Sequence, residues 1–137
     1  MAIVLGYDGS DGARRALTVA IDLARRFGEP LHVGFSAQAP GRIGEELRAH
    51  LAVLEDMGRE LTGEAVRAAR EAGVTAEAHV RADRPVDMLL ALAEEHDAYC
   101  IVVGCYGESP LRGAVVGATP HKLLHLSDRP VLAIPTA

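Results

Sequence analysis

The chain has 137 residues, 49% of them apolar and 24% charged, with a net charge of −5; these are the proportions of one ordinary globular domain, read here as spanning residues 1–137. The acidic balance excludes a general nucleic-acid binder, which needs a basic stripe to displace counterions from phosphates, and no RNA- or DNA-reading motif occurs. With no uninterrupted run of about 18 apolar residues and no basic-then-apolar leader, no membrane partner is expected and the chain is assigned to the cytoplasm.

Ala2 to Tyr7 reads as a short apolar strand, and Asp8-Gly9-Ser10-Asp11-Gly12 as the turn into a helix, with Ser10 as N-cap. Ala13, Ala16, Leu17, Ala20, Leu23, Ala24 and Phe27 recur at three- and four-residue steps, which marks the buried stripe of that helix, and Gly28 ends it. Asp8 stands just beyond a central strand, where an open α/β sheet faces its ligand crevice; an Asp that merely makes the turn is the competing reading. Leu31 to Ser36 is a second strand, in which His32 is read as a strand histidine. A loop through Pro40 and Gly41 follows. From Ile43 the positions Leu47, Leu51, Leu54, Gly58, Leu61, Ala65, Ala68 and Ala72 keep one face apolar over the longest helix, whose glycines and alanines suit packing on a sheet better than a coiled coil.

Gly73 closes that helix, and Val74 to Arg81 alternates as a third strand. Pro85 opens a third helix, with Val86, Leu89, Leu90 and Ala93 inward and Glu94, Glu95 and His96 outward. Tyr99 to Gly104 is a continuous apolar run that reads as a parallel strand buried on both faces. It leads into a loop punctuated by Gly107 and Gly117, and then into a helix from Pro120 through Leu126. Gly104, Gly107 and Gly117 permit close backbone approach, and free N–H groups at a helix start can hold an anion without a basic side chain. Cys100 and Cys105 are separated by roughly 16 Å along or beyond one strand, too far for a bridge. Cys100 is read as a core residue; for Cys105 inert packing is the preferred reading, and a thiol activated by a helix N-terminus the alternative. His121 and His125 lie four apart on the last helix, a metal-compatible spacing, but no Cys or acidic partner stands at a ligand spacing beside them, so no metal site is read. Val131 to Ile134, confined by Pro130 and Pro135, is an edge strand.

Strands alternating with helices in this way imply an α/β fold with a parallel sheet between helical layers. Gly104, Gly107 and Gly117 reproduce a G-x-x-G-(x9)-G spacing. Together with Val4-Leu-Gly-Tyr-Asp8-Gly9-Ser10 at the start and Arg129-Pro130-Val131-Leu-Ala-Ile134-Pro at the end, this resembles the universal stress protein family. The resemblance implies a single open five-stranded Rossmann-like sheet, of order 3-2-1-4-5, with helices on both faces. It also implies a site for ATP or a related adenine nucleotide, with Mg2+, formed by Asp8, Val33, Gly104, Gly107, Gly117, Ala118 and Thr119, in which the backbone at Val33 meets adenine. Three positions depart from the family pattern: Glu108 stands where a basic residue is common, Ala118 where Ser or Thr is usual, and Asp83 where glycine is frequent.

The expected function is a small stress-response or signalling protein that binds the nucleotide and acts as a dimeric switch, paired through Val131, Leu132, Ala133 and Ile134. The alternative is a dimeric interaction protein of the same family that binds no nucleotide. No nucleophile–base pair and no P-loop Gly-Lys-Ser/Thr are present, so no catalytic residue is named and at most a weak ATPase is expected.

Overall fold

The computed structural model describes residues 1–38, 45–105 and 118–136, with backbone only at 45–47 and 118. Among the described residues nine elements follow one another: β1 (Ala2–Gly6), α1 (Asp11–Phe27), β2 (Leu31–Ser36), α2 (Glu45–Glu71), β3 (Ala76–Arg81), α3 (Pro85–Glu95), β4 (Ala98–Gly104), α4 (Ala118–Leu126) and β5 (Val131–Ile134). All strand pairs are parallel and the order is β3-β2-β1-β4-β5, as the resemblance implies. None of the described helices is long and apolar enough to cross a membrane.

Strand alternation divides the core into two layers. On one face Ile3, Leu5, Leu31, Val33, Cys100 and Val102 pack against Ala13, Ala16, Ala20 and Ala24 of α1 and Ala65, Val66 and Ala69 of α2. Small residues on α1 let its axis lie close to the sheet. On the other face Val4, Ile101 and Val103 meet Val86, Met88, Leu89, Leu92 and Ala93 of α3, together with Leu123 of α4. Gly34 has a packing role here, since a Cβ on it would stand 2.5 Å from Met88 Sδ and 2.8 Å from Leu92 Cδ1. Likewise Gly58 of α2 sits against the Phe35 ring, which is why a glycine interrupts that long helix.

The ends of α1 behave as read: Ser10 Oγ accepts from the Ala13 N–H at 3.2 Å, and Gly28 closes the helix in the left-handed region at φ 67°. Gly73 does the same after α2, at φ 82°. Several expectations need correction. Tyr99 is not buried on a covered strand; it is 44% exposed near the start of β4 and packs edge-on to the exposed Phe27 at the end of α1, ring centroids 5.3 Å apart. Phe27 therefore leaves the buried stripe of α1. Met88 and Leu92 join the inward face of α3 because Gly34 opens room for them, whereas Leu90 is only partly buried. His96 turns inward and stacks on His32 at 3.6 Å. The third strand starts at Ala76, since the Val74 N–H still bonds to Ala69 O at the end of α2. Ile43 and the loop at Pro40 and Gly41 lie outside the described residues.

Candidate functional site

A cavity of about 390 Å3 opens at the carboxyl ends of β1, β2 and β4, within the range that holds a small-molecule ligand. This is where the strand order reverses: β1 is followed in sequence by β2 on one side, and β4 lies on the other. Its wall is built from strand ends and helix starts. Gly6, Tyr7 and Asp8 come from β1 and its exit, Gly34, Phe35 and Ser36 from β2, and Val103, Gly104 and Cys105 from β4. The starts of α1, α3 and α4 contribute Ser10 and Ala13, Pro85 and Thr119 respectively. Helix starts bring the positive end of the peptide dipoles to one mouth, although the Ser10 and Ala13 N–H groups are taken by Asp8 and Ser10 and Pro85 has none.

Asp8 is exposed at the rim, and its Oδ1 accepts the Ser10 N–H at 3.0 Å, so it makes the turn and also borders the cavity. The two readings of Asp8 are thus compatible. Gly104 has its own reason for being glycine: an added Cβ would stand 2.6 Å from the Gly12 carbonyl carbon and 2.8 Å from its oxygen, in the first turn of α1. The close approach is between strand β4 and helix α1, and this contact seats the α1 start at the cavity mouth. Thr119 lines the cavity from α4, and Ala118 begins that helix. Val33 is different, because its side chain is buried in the α1/α2 layer and the cavity is lined by its successors Gly34 to Ser36. Gly107, Gly117, Glu108 and Ser109 lie outside the described residues.

Among the described lining residues no side chain is basic, and Asp8 is the only carboxylate. Burial pushes the Tyr7 phenol up, against the pull of Arg14, so it stays neutral at ordinary pH. Burial also pushes the Cys105 thiol up, opposite to an activated cysteine, and both Cys100 and Cys105 are free. Asp83 does not line the cavity; its carbonyl accepts the Ser36 hydroxyl at 2.6 Å, which fixes the end of β2. Phe35, Met88 and Leu89 form the apolar wall, unnoticed in the sequence. The available signal was Gly34, a glycine inside a strand, which marks a place of close approach.

A second cluster, none of whose members is in the cavity lining, joins His32 of β2, His79 of β3 and His96 just after α3. His32 Nδ1 and His79 Nε2 share a hydrogen bond at 2.9 Å. His32 is 7% exposed, and burial, with His96 and His79 adding to it, holds its imidazole down to about 4; burial also lowers His79. By contrast His121 and His125 are exposed on α4, their rings edge to face.

The sequence model of the Universal stress protein family matches residues 1–135. Universal stress protein YxiE of Bacillus subtilis is 30% identical over 146 residues, covering 96% of this chain and 97% of that one. A universal stress protein from Archaeoglobus fulgidus, solved in complex with dAMP, superposes with a TM-score of 0.73 at 30% identity, covering 98% and 97% of the two chains. A universal stress protein solved in complex with cAMP gives a TM-score of 0.71 at 30% identity, covering 100% and 98%.

Proposed function

Because this chain belongs to the universal stress protein family, matched over residues 1–135, we propose that it is a cytoplasmic stress-response or signalling protein, a single domain, that binds an adenine nucleotide in the cavity at the switch point. The observation that carries this reading is the composition of that cavity: an apolar slot of Phe35, Met88, Leu89 and Val103 suited to a purine, beside helix starts and hydroxyls suited to phosphate. Similar proteins bound to dAMP and cAMP support the adenine preference. ATP with Mg2+ is the proposed ligand, with the backbone near Val33 at the base, Gly104, Gly107, Gly117, Ala118 and Thr119 at the phosphates, and Asp8 placed at the rim where it would hold the metal ion.

Calorimetry of the full chain with ATP, AMP and cAMP, each with and without Mg2+, tests this. A hydrogen bond to a charged phosphate is worth about 1.5–3 kcal/mol, so Thr119→Ala is expected to weaken ATP roughly ten- to a hundredfold while adenosine changes little. No heat with any nucleotide would favour the second reading, a family member that binds protein partners alone. That reading draws on the absence of Lys and Arg from the described lining residues and on the negative charge of Asp8 there.

The proposed switch is a homodimer through Val131, Leu132, Ala133 and Ile134. β5 is an edge strand whose Leu132 is 38% exposed, next in sequence to a helix that also exposes Leu124 and Leu126. Unpaired backbone along an edge and apolar side chains around it are what a twofold copy can cover. Leu132→Asp is expected to convert a dimer into a monomer in light scattering at about 50 μM, well above the range of tight dimers, with an unchanged circular dichroism spectrum. A wild-type monomer at that concentration, or a dimer that survives the substitution, would place the interface elsewhere or remove it.

A further inference from the structure

We propose that His32, His79 and His96 form a binding site for a zinc-like divalent transition-metal ion. The three residues each offer one ring nitrogen, and these nitrogens all lie within 4.8 Å of one another. In a tetrahedral site with Zn–N bonds of about 2.0–2.1 Å, neighbouring ligand nitrogens stand about 3.3 Å apart, so His32 and His79 at 2.9 Å are already at ligand spacing. His96 reaches the same point by turning its ring out of the stack.

The fold supplies the arrangement from three separate elements. Register pairs His32 with Glu77 and Gly34 with His79, so His32 and His79 project from the same face of neighbouring strands. α3 ends over that face, and His96, which caps it after Glu95, stacks on His32 at 3.6 Å. A fourth donor is at hand, since Glu77 Oε2 lies 3.9 Å from His32 Nδ1 and is free to move at the surface. Arg81, whose charge is felt at His79, is paired with Glu95 through bonds of 2.6 and 3.1 Å, which offsets its opposition to a metal charge. Three imidazoles with a carboxylate select zinc and its neighbours over Mg2+ and Ca2+, which prefer oxygen ligands. Three ring nitrogens lie within 4.8 Å of one another, and a bound cation would take the place of the proton shared by His32 and His79, each ring keeping its remaining proton on the other nitrogen. None of the three histidines lines the cavity, so the two sites use different residues, although His79 pairs with Gly34 of the cavity wall. A bound ion would clip β2, β3 and the end of α3 together, and would stabilise the native state by mass action.

The experiment is titration of ZnCl2 into the untagged, chelator-treated full chain at pH 7.5, followed by calorimetry. About one equivalent is expected, matching a single three-histidine set. His79→Gln and His96→Gln should each weaken Zn2+ by at least about tenfold, since losing a ligand costs no less than losing the hydrogen-bond partner of one. The His121→Gln, His125→Gln double variant should bind as the parent does. Co2+ in the parent should give the visible absorption of a tetrahedral ion, and Mg2+ or Ca2+ should not compete. Imidazole resonances followed by NMR during Zn2+ titration of the parent need no variant and should move at His32, His79 and His96. The proposal is overturned by an absence of saturable Zn2+ binding, by binding that survives both single substitutions, or by resonance shifts confined to His121 and His125.

Discussion

Gly104→Val is expected to lower stability by about 3 kcal/mol or more, the upper end of what overpacking usually costs, because the new side chain meets main chain and not the end of a flexible neighbour. Its Cβ alone would stand 2.6 Å from Gly12 carbonyl carbon, 2.8 Å from Gly12 oxygen and 3.1 Å from Ala13 nitrogen. Relief requires the first turn of α1 to lift off β4, which pulls the Ala13 N–H away from Ser10 Oγ and loosens the Asp8 turn as well. For a chain of this size the loss corresponds to a fall in melting temperature of roughly 10 °C or more. Gly34→Ala is the useful contrast: its obstacles are Met88 Sδ and Leu92 Cδ1, the movable ends of side chains, so it should cost less than Gly104→Ala. If Gly104→Ala melts within about 2 °C of the parent, well under one kcal/mol, the strand–helix contact is not what fixes this glycine.

Acid should also destabilise the chelator-treated protein, with the loss concentrated between pH 6.5 and 4. His32 is held down to about 4 by burial against His96 and His79, while in the unfolded chain it returns to 6.5. Between those values the unfolded state binds the extra proton, so stability falls as pH falls; above 6.5 the contribution is fully present, and below 4 this group adds no further loss. A displacement of that size amounts to about 3 kcal/mol by pH 4 and about 2 kcal/mol by pH 5. His79, lowered in the same direction, adds to the slope, while the Glu77 carboxylate pulls both histidines the other way. Urea midpoints at pH 7.5 and 5 measure the difference. In His32→Phe, which keeps a ring stacked on His96 without the titration, the decline over this window should be much smaller, and an equal decline in both proteins would remove His32 as its source.

The elements were legible where a local signal set them. Ser10 and Gly28 bracket α1 because capping depends on residues a turn apart, and Pro130 and Pro135 confine β5 to Val131–Ile134 for the same reason. Strand order came through resemblance, since nothing in a strand's own residues says which strand lies beside it. The site was half legible: Asp8, Gly104 and Thr119 meet at one cavity although they come from opposite ends of the sequence. Phe35, Met88 and Leu89 were hidden because their positions follow from the register of β2 and from the close seating of α3 on Gly34. The histidines were hidden more completely. Positions 32, 79 and 96 form no spacing motif, and only the pairing of β2 with β3 and the length of α3 bring them together, so an end-of-helix His96 read naturally as solvated.

The central ladder also sets a schedule for making the protein. β1 is made well before β4, yet β4 is one of its two neighbours, with Ile3 paired to Cys100 and Leu5 to Val102. That pairing closes a loop of nearly a hundred residues, and the entropy of closing it must be met before the contact gives anything back. A ribosome adding about 5–20 residues per second therefore holds β1 and β2 for several seconds with one edge of β1 open. Until β4 leaves the exit tunnel, Val4 lacks its neighbour Ile101 and the apolar face of the half-built sheet that α3 covers stays open, a transient exposure that ends only as α3, β4 and then Leu123 of α4 arrive.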